Sequence, residues 1–199
     1  MTFASSANCI RFCGGNVKFV DIDPETYLLD INKLKEILST APKGTYKGMV
    51  LVDFAGYPHN MEEYRKVADE YGMWILEDAC HAPGAYFIDS TGERVYCGCG
   101  KYSDITVFSF HPVKHITTGE GGMVCTQNKE YYEKMALYRT HGITHEAEKL
   151  QREDGLWYYE MQELGYNYRI TDIQAALGTS QLKRARKNVE IRRELVRKY

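Results

Sequence analysis

Long apolar runs are missing from this 199-residue chain, and so is a strong excess of one charge: 25 Lys and Arg stand against 27 Asp and Glu, for a net charge of −2. The first absence excludes a membrane-spanning helix, which needs about 18 or more consecutive apolar residues. The second removes any general attraction for polyanions. Low-complexity tracts and internal repeats are also missing, and 44% hydrophobic with 26% charged residues is the composition of a folded globular domain. The first residues, MTFASSANCIRF, carry neither a basic leader nor an unbroken apolar stretch, so a cytoplasmic protein is expected.

Paired cysteine motifs are absent as well. Six cysteines occur, at Cys9, Cys13, Cys80, Cys97, Cys99 and Cys125. Without an export signal, reduced thiols are expected rather than a disulfide framework. Cys97 and Cys99 lack the two-residue gap of a zinc knuckle and have no matching second pair, so no metal site is expected.

Charge is nevertheless unevenly placed. Residues 182–199, LKRARKNVEIRRELVRKY, hold eight Lys or Arg against two Glu. Leu182, Ala185, Val189, Leu195 and Val196 recur there at roughly helical spacing, which fits an amphipathic helix better than a nucleic-acid-binding tail. No nucleic-acid partner is expected.

Apolar runs alternate with helical patterns elsewhere, the signature of an α/β fold with a mostly parallel sheet and helices on its faces, a three-layer sandwich. ASSANCIRFCGG reads as a helix ended by Gly14 and Gly15, and VKFVDID as a strand. Asp30 caps a helix through INKLKEIL, and GMVLVDFAG is a strand. Asn60 and Glu63 form a capping box for a helix with Met61, Tyr64, Ala68 and Tyr71 on one face and Gly72 at its end. MWIL is a strand running into Glu77 and Asp78. An irregular segment of glycine and tyrosine follows, then strands at DITVFSF and GGMVCTQ. Helices are expected from Lys129 to His141 and from Thr171 onward, with an excursion over residues 143–162.

One stretch carries most of the chemistry: SFHPVKHITTGEGG, residues 109–122. Lys114 is one of 25 basic residues, so a solvated surface charge is the plain reading of it. Three rival sites do not fit. A P-loop needs its lysine after the glycines and before a helix, and the dinucleotide fingerprint needs its glycines between strand and helix. His111 and His115 could share a zinc ion only on a helix, which Pro112 and Gly119 oppose.

In a parallel α/β sheet, ligands collect beyond the carboxyl ends of the strands. Asp78 lies at one such end, and Ser109 with Lys114 lies at another. A lysine, a carboxylate and a hydroxyl together suit pyridoxal phosphate, which offers an aldehyde, a pyridinium nitrogen and a phosphate.

The segments VDFAGYPHNMEEYRKVADEYGMWILEDACHAPGA, DITVFSFHPVKHITTGEGG and GYNYRITDIQAALGTSQL resemble the DegT-type sugar aminotransferases, pyridoxal-phosphate enzymes of fold type I. The resemblance implies that Lys114 bonds covalently to the cofactor and then serves as proton carrier, and that Asp78 partners the pyridinium nitrogen. It implies that His81 contacts the ring, Ser109 the phosphate, and Phe3 stacks on the ring. Asn167 in GYNYR would reach the phosphate of a neighbouring subunit's site, which implies a homodimer. Dehydratase relatives have histidine at the lysine position, so Lys114 favours transamination.

HPVKHITTGEGG, RTHGIT and WYYEMQELGYNYRITDIQAALG are most similar to family members of the pseudaminic acid route. That likeness implies amination at C4 of a UDP-linked 4-keto-6-deoxy-N-acetylhexosamine with L-glutamate as donor. Relative to the family, residues 1–182 correspond to part of the large cofactor-binding domain. Residues 183–199 begin a helix leading toward a smaller C-terminal domain. A second reading is a fragment or dimerisation module that keeps this core without the chemistry.

Overall fold

In the computed structural model, which describes residues 1–152 and 154–199, the expected alternation of helix and strand is present. Helix α1 spans Ala4–Phe12 and α2 Ile31–Ser39, followed by β1 (Gly48–Val52), α3 (Met61–Tyr71) and β2 (Trp74–Asp78). A hairpin of β3 (Tyr86–Ile88) and β4 (Arg94–Tyr96) precedes β5 (Ile105–Ser109), β6 (Gly122–Cys125) and α4 (Lys129–Tyr138). A short pair, β7 (Ile143–Thr144) and β8 (Glu160–Met161), leads to α5 (Asp172–Leu182) and α6 (Ala185–Val196).

The central sheet has the order β1-β2-β5-β6. Its first three strands are parallel and β6 runs antiparallel to β5, so the α/β fold with a mostly parallel sheet is as expected. In register, Val52 lies opposite Asp78 and Asp78 opposite Val107. The carboxyl ends of three adjacent strands are therefore level, and side chains just beyond them share one rim.

Local chemistry sets the element ends. The Asp30 carboxylate accepts the Asn32 N–H at 2.8 Å and the Lys33 N–H at 3.4 Å, capping α2. Gly72 closes α3 in the left-handed conformation, at φ +67°. The core lies between these helices and the sheet: Leu34 and Leu38 of α2, Val67 and Ala68 of α3, Leu51 of β1 and Ile75 of β2 are all buried. By contrast α1, α4, α5 and α6 contain no buried residue.

A polar clamp fixes α3 to the sheet. The Asp104 carboxylate accepts from Arg65 Nη1 at 2.9 Å and from the Ile75 N–H at 2.7 Å, while Arg65 Nη2 donates to the Met73 carbonyl at 2.8 Å. Asp104→Ala strands both donors and is expected to cost about 1–3 kcal/mol of stability, read as a lower denaturant midpoint. A midpoint equal to wild type would show that water replaces the carboxylate without loss.

Several segments differ from the sequence reading. VKFVDID is extended but has no ladder partner; only Ile22 bridges, to Leu29. Residues 16–22 and β1 both line one cavity of about 680 Å³, and no backbone hydrogen bond joins them. Asn60 and Glu63 do not form the capping box: the Asn60 amide donates to the Glu63 carboxylate at 2.8 Å, and no side chain caps the helix backbone. The glycine- and tyrosine-rich stretch after Asp78 contains the β3–β4 hairpin, too short to show a period. The helix expected from Lys129 to His141 stops at Tyr138, because the Gly142 N–H turns back to the Leu137 carbonyl at 3.0 Å. The basic tail is divided at Lys183 and Arg184, with Leu182 in α5 and the remaining apolar residues in α6. No helix among the described residues is long and apolar enough to cross a membrane.

Candidate active site

Strand β2 delivers Asp78 to the rim, and its carboxylate is 8% exposed. Oδ2 accepts from the Ser6 hydroxyl of α1 at 3.1 Å, and Oδ1 from the Cys80 N–H at 3.2 Å. Among the described residues no Lys, Arg or His forms an ion pair with it. A buried carboxylate is costly unless a cation or several donors compensate it, and here two neutral donors serve it.

Lys114 arrives from the neighbouring strand. Beyond β5 the chain forms a loop whose neck is tied by Phe110 N–H to the Gly121 carbonyl at 2.8 Å and by Thr118 N–H to the Phe110 carbonyl at 3.0 Å. Ile116 and Thr118 are buried under the loop, leaving Lys114 half-buried at its turn. Helix α5 holds the loop from outside: the Gln174 amide donates to the Glu120 carbonyl at 3.1 Å, and a Cβ on Gly178 would lie 2.8 Å from Thr118 Cγ2. The Lys114 amine has no hydrogen bond or ion pair among the described residues. The GEGG exit is the turn that starts β6 at Gly122.

Electrostatics show that these groups share one space. Burial pushes the Cys80 thiol up to about 12; Asp78 raises it further, and the Lys114 charge opposes. His81 feels the same pair: burial lowers its pKa first, Lys114 lowers it further, and Asp78 raises it. The His81 ring is oriented by the Ala55 N–H, which donates to Nδ1 at 3.3 Å, so the neutral ring carries its proton on Nε2. Ala55 holds φ +54°, an unfavourable value for a residue with a Cβ. Next to it Gly56, at φ +83°, packs so closely that a Cβ would lie 2.8 Å from the His81 carbonyl. Glycine is therefore required at Gly56.

Ser109, the last residue of β5, lies two residues past the Asp78 register and accepts the His111 N–H at 3.3 Å. Asp78, His81, Ser109 and Lys114 thus gather at one rim. Phe3 is the N-cap residue of α1, three residues before Ser6, and its ring is 77% exposed. Asn167 is exposed on a different segment, bridged to Thr140, and makes no bond to Lys114 or Asp78. Ser6 and Ala55 belong to the site although the sequence reading did not single them out; no charge or spacing marks a helix serine or a turn alanine. His115 lies nearby, its pKa lowered by burial first and then by the charges of Arg192, His81 and Lys114.

Because both imidazoles are depressed, the unfolded chain takes up protons before the folded one as pH falls. Their contribution to stability is complete above the unfolded value near 6.5 and is lost progressively below it. Denaturant midpoints are expected to fall between about pH 7 and pH 5, with a shallower fall in His81→Gln/His115→Asn. An equal slope in the double variant would assign the effect elsewhere.

Known proteins show the same arrangement of segments. The model of the DegT/DnrJ/EryC1/StrS aminotransferase family matches residues 1–199. A UDP-4-amino-4,6-dideoxy-N-acetyl-beta-L-altrosamine transaminase of Campylobacter jejuni is 39% identical over 199 residues, 100% of this chain and 48% of that protein. Among solved structures, Helicobacter pylori PseC, an aminotransferase involved in the biosynthesis of pseudoaminic acid, superposes with a TM-score of 0.78 at 33% identity. It covers 92% of this chain and 44% of that one. A candidate sugar aminotransferase of Streptococcus pneumoniae, solved in its PMP form, gives 0.79 at 27% identity, over 98% of this chain and 51% of that one. The chain spans about half the length of the curated relatives it matches. On the match over every residue and on the shared fold, the chain belongs to the DegT/DnrJ/EryC1/StrS aminotransferase family.

Proposed function

We propose that this protein serves a pyridoxal-phosphate-dependent transaminase reaction on a nucleotide-linked 4-keto-6-deoxy sugar. The substrate we favour is a UDP-4-keto-6-deoxy-N-acetylhexosamine aminated at C4, with L-glutamate as donor. The observation that carries the reading is the presence at one rim of a largely buried Asp78 with no ion-pair partner among the described residues and a Lys114 amine that no other side chain engages. Such a pair fits a ligand with one cationic ring nitrogen and one aldehyde. The PMP form of the Streptococcus structure supports the same cofactor.

When bound, pyridoxal phosphate supplies an electron-accepting ring. The residues supply the rest. Asp78 would hold a proton on the ring nitrogen, with Ser6 and the Cys80 N–H keeping its carboxylate aimed. Lys114 Nζ would hold the cofactor's aldehyde carbon, releasing its oxygen as water, and would be placed to carry a proton. His81 would present Nε2–H to the ring, Ser109 would offer its hydroxyl to the phosphate, and Phe3, at the α1 end of the rim, would serve as the stacking partner. Substrate class rests on likeness to the Campylobacter and Helicobacter proteins.

A homodimer completes this reading. Leu156, Trp157, Leu164, Tyr168 and Ile173, on the segments before and after Asn167 in the chain, are exposed apolar side chains suited to cover by another subunit, whose site Asn167 would enter. The second reading, a non-catalytic module, is favoured by the same uncovered helices. Adding pyridoxal phosphate and reducing with borohydride separates them: a pyridoxyl group on Lys114, mapped by peptide mass spectrometry, supports the enzyme. A folded protein without that adduct supports the module. Turnover of the UDP-linked keto sugar with glutamate then tests the substrate.

A further inference from the structure

Under the rim lies a second polar cluster that the reaction does not use. Asp53, just beyond β1, and Glu77 of β2 are 0% and 3% exposed, and Cys97 follows β4. One ligand-type atom from each lies within 4.8 Å of the other two. The cluster touches the catalytic strand end directly: the Asp53 N–H donates to the Asp78 carbonyl at 3.1 Å.

Both carboxylates are held by one oxygen. Asp53 Oδ1 accepts the His59 N–H at 3.0 Å and meets His59 Nδ1 at 3.0 Å, while Oδ2 is buried with no partner. Glu77 Oε2 accepts from Thr106 Oγ1 at 2.7 Å, Ser103 Oγ at 3.1 Å and the Gly98 N–H at 3.2 Å. Its Oε1 has only a long contact with that same N–H, at 3.4 Å. Outer hydrogen bonds that fix one oxygen of each carboxylate and leave the other directed inward are the usual support of metal ligands. No Lys or Arg compensates either carboxylate among the described residues. The Cys97 thiol is turned toward both carboxylates, and burial first, then their charges, push it up.

We propose that Asp53, Glu77 and Cys97 bind one divalent cation of the zinc class, with the fourth position left to water, tying the β1 and β2 ends beneath Asp78. Thiolate and carboxylate ligands in a small set suit zinc, with His59 orienting Asp53 from behind. Calcium and magnesium want six or more oxygens and no sulfur. Binding forms the metal–sulfur bond as the Cys97 thiol proton leaves to solvent, so one proton is released per ion from that group.

The experiment is metal analysis of the purified chain together with cobalt(II) substitution during refolding. One ion per chain and a thiolate-to-cobalt charge-transfer band are expected. Cys97→Ser should lose the band and the ion, and Cys99→Ser, at an exposed thiol two residues away, should keep both. Far-ultraviolet circular dichroism confirms that each variant folds. Folded wild-type protein with neither ion nor band overturns the proposal and leaves the carboxylates to share a proton. A band that survives Cys97→Ser, or vanishes in Cys99→Ser, also overturns it.

Discussion

Replacing Lys114 by alanine is expected to abolish borohydride-trapped pyridoxyl incorporation and to lower transamination by roughly 10⁴-fold or more, the upper end of what a positioned proton-transfer group supplies. The size follows from the two duties proposed for one amine, covalent capture and proton movement. The surroundings offer no replacement. His111 accepts the Val113 N–H on Nδ1 at 3.4 Å and meets Glu120 at 3.8 Å, and the buried Nδ1 of His115 has no partner. Cys80 remains a thiol because burial and Asp78 push it up to about 12. Lys114→Arg should fail equally, since a guanidinium stays charged and is a poor nucleophile. Folding should be unaffected, because the loop is held by Phe110, Thr118, Gly121 and Gln174 rather than by the lysine amine. An adduct on another lysine with activity retained in Lys114→Ala would remove Lys114 from its role.

How much of this could be read from the residues alone differs from place to place. The two strand ends were legible because apolar runs stop abruptly at Glu77–Asp78 and at Ser109, and polar residues at strand ends of a parallel sheet face a common rim. Asp30 was legible as a cap because its one partner is the local backbone. Asn60 and Glu63 have the same local pattern and satisfy each other instead, which spacing cannot distinguish. VKFVDID has strand composition, yet a strand exists only with a neighbour, and the cavity beside it supplies none. The contact of Ser6 with Asp78 spans 72 residues, and Asp53, Glu77 and Cys97 come from three separate elements. Contacts of that kind arise from register and packing, so no motif announces them. Assigning roles to His81, Ser109, Phe3 and Asn167 needed the family likeness, because each is an ordinary residue in its own segment.

Asp78→Asn provides the complementary test, since it should separate capture of the cofactor from its use. Asparagine preserves the shape, and its carbonyl oxygen can still accept from Ser6 or Cys80 N–H. Lys114 should therefore still give the trapped pyridoxyl group. What would be lost is the negative charge proposed to face a ring-nitrogen proton, at a residue that is 8% exposed. Removing one partner of a buried ion pair costs about 3–5 kcal/mol. At 1.36 kcal/mol per tenfold in rate, that is about 10²–10⁴-fold in the rate of amino transfer from glutamate. The loss should appear in kcat more than in KM, because the proton matters most as charge builds on the ring. Without the anion beside it, the His81 imidazole should also titrate lower still, since Asp78 is the group that raises it. Amide-nitrogen NMR or a pH titration of His81 in the two proteins reads that change independently of turnover. Unchanged kcat with an unshifted His81 would show that Asp78 and Lys114 do not act in one site.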